Sequence, residues 1–200
     1  IPDLSQLMSH YSEPEQYIAW TENEKGRDLM WKKRLSIILR FIKSGKLLDV
    51  STGIGQFLNL AQDYFEVTGT EISSVAAKIA KEKYNLNLVM GENPLESIPI
   101  NNEFDIITLI HVLEHVEDPN ALLLQIKQKL KPQGFLVIAV PNSSITNYQT
   151  LKNVYTKNFV KVILNKVFRH KWKLNNRFVP LTFSPGEEIH LSHFVRSSLI

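Results

Sequence analysis

The chain has 200 residues, 44% apolar and 22% charged, with no cysteine; this composition fits one soluble globular domain, excludes a disulfide framework and thiolate metal sites, and suits a reducing compartment. No apolar run reaches the ~18 residues that a membrane-spanning helix needs. The net charge is only +3, but residues 119–186 hold eleven of the 23 Lys and Arg and none of the 20 Asp and Glu, an asymmetry that fits an anionic partner, a membrane surface or a solvated basic face.

The first 23 residues are polar and aromatic (Tyr11, Tyr17, Trp20) without a clear period. From Glu24 to Lys43, Leu29, Met30, Leu35, Ile38, Leu39 and Ile42 recur at helical spacing, and Gly45 suits the end of that helix. Residues 46–50 form a short apolar run with an acid, Asp49, which reads as a buried strand. A turn over 51–55 leads into a helix over 56–64, with Phe57, Leu60 and Ala61 on one face. A second strand covers 67–71, and Ser73 is a suitable cap for a helix to about Tyr84. Strands are expected at 86–90 and at 104–110, the latter apolar enough to be central. Pro119 fits the first turn of a helix that ends near Lys131, before Pro132 and Gly134, and 135–140 is a fifth strand.

Strands alternating with helices predict an α/β fold: a Rossmann-like, doubly wound, mainly parallel sheet with helices on both faces. Ligands of such sheets sit beyond the carboxyl ends of the strands. The informative residues should therefore follow the strands. Gly53 and Gly55 lie in the first strand-to-helix turn, where glycine lets a ligand approach the backbone and the helix start offers free N–H groups; the plain alternative is an ordinary turn. Glu71 ends the second strand, where a carboxylate can accept both ribose hydroxyls of a nucleoside; alone it reads equally as a surface acid. A dinucleotide fingerprint would place a third glycine where Leu58 stands, which disfavours a NAD-linked oxidoreductase. Asp49 beside the glycines suits a cationic ligand such as S-adenosylmethionine better than a pyrophosphate.

From Leu47 to Asn142 the chain resembles the class I S-adenosylmethionine-dependent methyltransferases, in the branch of ubiquinone-biosynthesis-type and small-molecule enzymes. The resemblance rests on five ordered segments: 47–57, 69–73, 104–107, 111–119 (His-Val-Leu-Glu-His-Val-Glu-Asp-Pro) and 130–137. It implies that Gly53 and Gly55, with Ser51, Thr52 and Phe57 of the same motif, line the methionine part of the cofactor. Asp49 would fix the ammonium, Glu71 the ribose, and Ile72 would pack on adenine. Gly91, Glu92 and Asn93 would follow the adenine edge, and His111 and Val112 would sit near the methionine end. The family usually has glycine where this chain has Ser51, and a serine fits there if its backbone stays at negative φ.

Methyl transfer needs alignment above all, and a base only for a poor nucleophile. Histidines are the base candidates. His111 reads more readily as pocket lining, and His115 as packing or capping. His193, in a segment resembling the one before a late family helix, would border the acceptor. No metal site is expected, because Glu114 and His115, as neighbours in sequence, do not face one ion readily.

The domain reading is one unit: an N-terminal helical segment (1–44), the cofactor-binding core (45–142), a basic helical lid insert (143–186), and the start of a late helix (187–200) with the family's C-terminal strands missing. Within 148–178, basic residues alternate with apolar ones at helical spacing. Such helices suit an anionic or lipid-linked acceptor, a membrane surface or RNA; the plainer alternative is a lid or homodimer contact with its lysines in water. The chain is therefore expected to be a cytoplasmic methyltransferase, peripheral at a membrane if the insert binds one. It would act on a small-molecule acceptor and release S-adenosylhomocysteine. The alternatives are an RNA or tRNA methyltransferase and a non-catalytic binding protein of the same fold.

Overall fold

The computed structural model describes residues 17, 20–22, 24–100, 104–140 and 163–166. In chain order these give α1 (Glu24–Ile38), β1 (Lys46–Val50), α2 (Gln56–Ala61), β2 (Glu66–Glu71), α3 (Ser74–Tyr84), β3 (Val89–Met90), β4 (Phe104–Ile110), a 3-10 turn (Leu113–His115), α4 (Pro119–Lys129), β5 (Leu130–Ala139) and β6 (Ile163–Lys166). The strands form one sheet in the order β3-β2-β1-β4-β5-β6. The first five run parallel, and β6 pairs antiparallel with β5. Strand order reverses between β1 and β4, so their carboxyl ends open the crevice where ligands of such sheets bind.

Alternation along the strands sends side chains to two cores. Leu48, Val50, Ile107 and Leu109 join Ile126 of α4 on one face, while Leu47 and Ile106 join Leu35, Ile38, Phe57 and Ala80 on the other. The caps follow their chemistry. Ser73 accepts from the Ala76 N–H at the start of α3, and Asp118 accepts from Asn120 and Ala121 ahead of Pro119.

Several boundaries differ from expectation. The first helix ends at Ile38, because the chain loosens into turns there, with Phe41 N–H reaching back only to Ile38. The third strand shrinks to two residues, the only ones paired with β2. The fifth strand starts early, at Leu130, and the pairing skips from Phe104–Leu130 to Ile106–Phe135; this irregularity accommodates Pro132, which has no N–H to pair.

The helical lid expected over 143–186 is corrected at 163–166, which form a strand rather than part of a helix. A short apolar run does not distinguish the two by period alone, and the free edge of β5 offers unpaired backbone groups that Ile163–Lys166 satisfy. Among the described residues the sheet therefore has six strands, one more than the five expected. The rest of the insert, and the 187–200 segment, lie outside the described residues.

Candidate functional site

The loop after β1 is stitched to the end of β2. Thr52 N–H donates to the Thr70 carbonyl at 2.8 Å, Ser51 N–H reaches the Thr70 hydroxyl at 3.3 Å, and Gly53 N–H donates to Glu71 Oε2 at 2.6 Å. Glu71 Oε1 also accepts the N–H groups of Ile72 and Ser73, each at 2.9 Å. Three of about four acceptor positions on this carboxylate are thus filled, and one on Oε2 remains. Burial raises the Glu71 pKa, and the three backbone donors oppose the rise.

The glycines play different parts. Gly53 has φ 60°, and among the described residues a Cβ there would meet only the Trp20 ring, at 3.5 Å. Among those residues its face is otherwise open, so a ligand can lie against the backbone. Gly55 has φ 87°, and a Cβ there would strike Leu86 at 2.9 Å and crowd Ala80 and Tyr84; it lets α2 pack on α3 and does not present that side to a ligand. Ser51 does not meet the condition of negative φ under which a serine fits this position: its φ is 56°, in the left-handed region. The tight turn that stitches the loop to Thr70 imposes that conformation.

Asp49 and Thr108 are register partners on adjacent strands. Thr108 Oγ1 donates to Asp49 Oδ1 at 2.5 Å. Desolvation pushes the Asp49 carboxyl up to about 7, opposed by hydrogen bonds from Thr108 and Thr52 and reinforced by the nearby Glu71 charge. Two buried acids therefore flank the open glycine loop, an environment that favours a cation and hydroxyl donors.

His111 follows β4 with φ 57°, held by its backbone N–H on the Ala139 carbonyl at 2.8 Å. Its side chain is half-buried. Nδ1 lies 3.2 Å from Glu114 Oε1 and Nε2 3.0 Å from Arg34 Nη2. Arg34 comes from α1 and stacks over Trp31 at 4.6 Å; sequence reasoning missed it, since one arginine in an amphipathic helix reads as solvent-facing. Tyr17 and Trp20 were also missed. They meet edge-to-face at 5.6 Å, with Trp20 over Gly53 and Tyr17 packed on Ile54 and Ala76.

The expected set thus divides. Asp49, Ser51, Thr52, Gly53, Glu71, Ile72 and His111 gather at the carboxyl ends of β1, β2 and β4. Gly91, Glu92 and Asn93 are exposed after β3, and a Cβ at Gly91 would come no nearer than 4.0 Å to Pro94. The side chains of Phe57 and Val112 are buried, at 2% and 5% exposure, Phe57 in a core against Trp31 and Val112 in the core of the opposite face. Apolar side chains at those positions gain more from burial than from a wet pocket. His193 lies outside the described residues. Among the described residues no cluster of three metal-ligating side chains occurs, and no helix is long and apolar enough to cross a membrane.

Residues 23–199 match the family model described as a methyltransferase domain. The chain is 32% identical over 101 residues to the mitochondrial ubiquinone biosynthesis O-methyltransferase of Schizosaccharomyces pombe, covering 47% of this chain and 37% of that one. It is 28% identical over 148 residues to the ubiquinone/menaquinone biosynthesis C-methyltransferase of Geotalea daltonii, covering 69% and 62%. The crystal structure of a SAM-dependent methyltransferase from Archaeoglobus fulgidus superimposes with a TM-score of 0.53 at 28% identity, covering 70% of this chain and 64% of that one. The chain spans less than two thirds of the length of each of these relatives.

Proposed function

Because the chain belongs to the methyltransferase-domain family, we propose that it is a class I S-adenosylmethionine-dependent methyltransferase acting on a small-molecule acceptor. The observation that carries this reading is the pair of buried acids around the open face of Gly53. S-adenosylmethionine brings an ammonium, a sulfonium and two ribose hydroxyls. Asp49 and Glu71 supply negative charge and the remaining acceptor position on Glu71 Oε2, and the Gly53 face admits a chain against the backbone. The donor set therefore fits the cofactor.

When bound, the cofactor supplies a methyl group on a positive sulfur, and the reactivity is its own. The chain's residues hold and orient. Glu71 fixes the ribose end, and through Gly53 it sets the loop that carries the methionine end. Asp49 balances the ammonium. Tyr17 and Trp20 lie against the loop, Tyr17 packed with Ile54 and Trp20 beside Gly53. Alignment of this kind supplies up to about 7–11 kcal/mol of a displacement barrier.

The acceptor is a small molecule, a reading supported by the quinone-pathway names of the relatives. The basic stretch 148–178 makes an anionic or lipid-linked acceptor the finer form of the proposal, with the protein cytoplasmic and peripheral at a membrane. Isothermal titration with S-adenosylmethionine and S-adenosylhomocysteine tests the cofactor site. Transfer of labelled methyl to a cell extract, with and without nuclease, tests the acceptor. Saturable binding with nuclease-resistant transfer supports the proposal. Nuclease-sensitive transfer would move it to RNA, and binding without transfer to a non-catalytic role.

A further inference from the structure

The hydrogen bonds of His111 determine where its proton sits. A guanidinium has five N–H donors and no acceptor, so Arg34 can only donate. Nε2 of His111, 3.0 Å from Arg34 Nη2, must therefore present its lone pair. The proton of the neutral ring is then on Nδ1, and it donates to Glu114 Oε1 at 3.2 Å. The opposite tautomer would set an N–H against the guanidinium and a lone pair against the carboxylate, and an imidazolium would still oppose N–H to N–H.

Burial makes this arrangement hard to exchange. Arg34 is 5% exposed and Glu114 1%. Neither side chain can turn to bulk water, and Arg34 Nε and Nη1 and Glu114 Oε2 have no protein partner among the described residues. The two buried charges lie on opposite nitrogens of the ring, so the imidazole dipole points its N–H at the anion and its lone pair at the cation. The residue's left-handed backbone, a strained conformation, persists because the side chain is held at both ends and the backbone N–H is held by Ala139.

We infer that Arg34 is a positioning residue for His111: by capping Nε2 it fixes, together with Glu114, the neutral Nδ1–H tautomer, so that the ring is a static wall of the pocket and its Nε2 is not available as a base. That the ring lines a pocket rests on the proposed function; the proton placement does not. Chemistry at this site then belongs to acceptors whose nucleophile needs no proton removed by Nε2 of this ring.

The test is a long-range proton–nitrogen correlation spectrum of the histidine rings in the 15N-labelled full chain at pH 8, with His111→Gln to assign the signal. The expected result is an Nδ1–H pattern for His111. With the Glu114 acceptor removed, Glu114→Met should keep Nδ1–H because Arg34 still faces Nε2, Glu114→Met with Arg34→Met should go to the Nε2–H form that free imidazoles prefer, and Glu114→Met with Arg34→Lys, also donor-only, should restore Nδ1–H. An Nε2–H pattern in the wild-type chain, or in the Glu114→Met background a pattern indifferent to Arg34→Met in a protein with an otherwise native amide spectrum, overturns the inference. If Arg34→Met does not fold, the wild-type pattern decides. Because the spectrum needs no cofactor, failure to bind S-adenosylhomocysteine would count against the proposed function and leave this result standing.

Discussion

The Glu71 carboxylate accepts the Gly53 backbone N–H at 2.6 Å, eighteen residues back along the chain. That bond ties the end of β2 to the loop after β1. The side chain proposed to meet a ribose therefore also shapes the backbone proposed to receive the rest of the ligand.

Glu71→Ala should then lose more than a single ribose contact. It strands the Gly53, Ile72 and Ser73 N–H groups, and a buried donor left unpaired costs about 1–3 kcal/mol. Affinity for S-adenosylhomocysteine should fall about 100-fold, and Glu71→Gln, which keeps one acceptor oxygen, about tenfold. Isothermal titration measures both. Unchanged affinity in a folded Glu71→Ala chain would place the cofactor elsewhere.

Ser51 occupies φ 56° on an exposed turn. A left-handed non-glycine residue costs roughly 1–2 kcal/mol, whereas glycine gives back about 0.5–1 kcal/mol through the freer unfolded chain. The first effect is larger, so Ser51→Gly should raise stability by up to about 1 kcal/mol. Its urea midpoint should move up with an unchanged m value. Ser51→Val, β-branched at the same φ, should move it down. A midpoint that falls for glycine would mean the serine side chain contributes something its exposure hides.

How far the sequence reveals this protein depends on which signals are local. β4 is found at its expected bounds, 104–110, because seven mostly apolar residues in a central strand leave no competing period. Ser73 is legible because a cap is a local hydrogen bond. The places of Asp49 and Glu71 are legible because Asp49 stands one residue before the end of β1 and Glu71 ends β2. Arg34 is not, since its meaning lies in His111, 77 positions away. The conformation of Ser51 is hidden for a similar reason: Thr70, on another strand, imposes it. Phe57 shows the limit of a motif, since its place beside the glycines says nothing of which way it points, and it points into the core.

Glu24, in the first turn of α1, accepts from both the Lys83 ammonium and the Tyr84 hydroxyl at the end of α3. The hydrogen bond from Lys83, followed by that from Tyr84, lowers the Glu24 pKa. An acid with a lowered folded pKa adds stability above its unfolded value, near 4.5, and loses it as pH falls through the folded value. Exposed pairs contribute about 0.2–1 kcal/mol. In Glu24→Ala, amide exchange in the first turns of α1 should quicken by up to about fivefold at pH 7, and the difference from wild type should shrink as pH falls below 4.5 through the lowered folded value. Equal exchange in the two proteins at pH 7 would mean that α1 is held by its apolar face alone.

Asp49 has the opposite sign. Its carboxyl is pushed up to about 7 by burial, against about 3.9 in an unfolded chain. Between those values the folded state binds more protons than the unfolded one, so stability is whole below about pH 4 and is lost as pH rises through about 7. Three units at 1.36 kcal/mol each set a ceiling near ~4 kcal/mol. The ligand-free protein should therefore weaken in urea from pH 5 to pH 8. Asp49→Asn keeps an acceptor for the Thr108 hydroxyl and carries no charge. It should flatten that decline and exceed the wild type at pH 8 by roughly 1–3 kcal/mol. The same substitution removes the negative charge proposed to balance the cofactor's ammonium. The more stable variant should thus be the weaker binder, and the wild type should release protons when it binds S-adenosylmethionine at pH 6.5. Parallel stability curves for the two proteins would show that Asp49 stays ionised without ligand, and the difference between pH 5 and pH 8 would have to come from other groups.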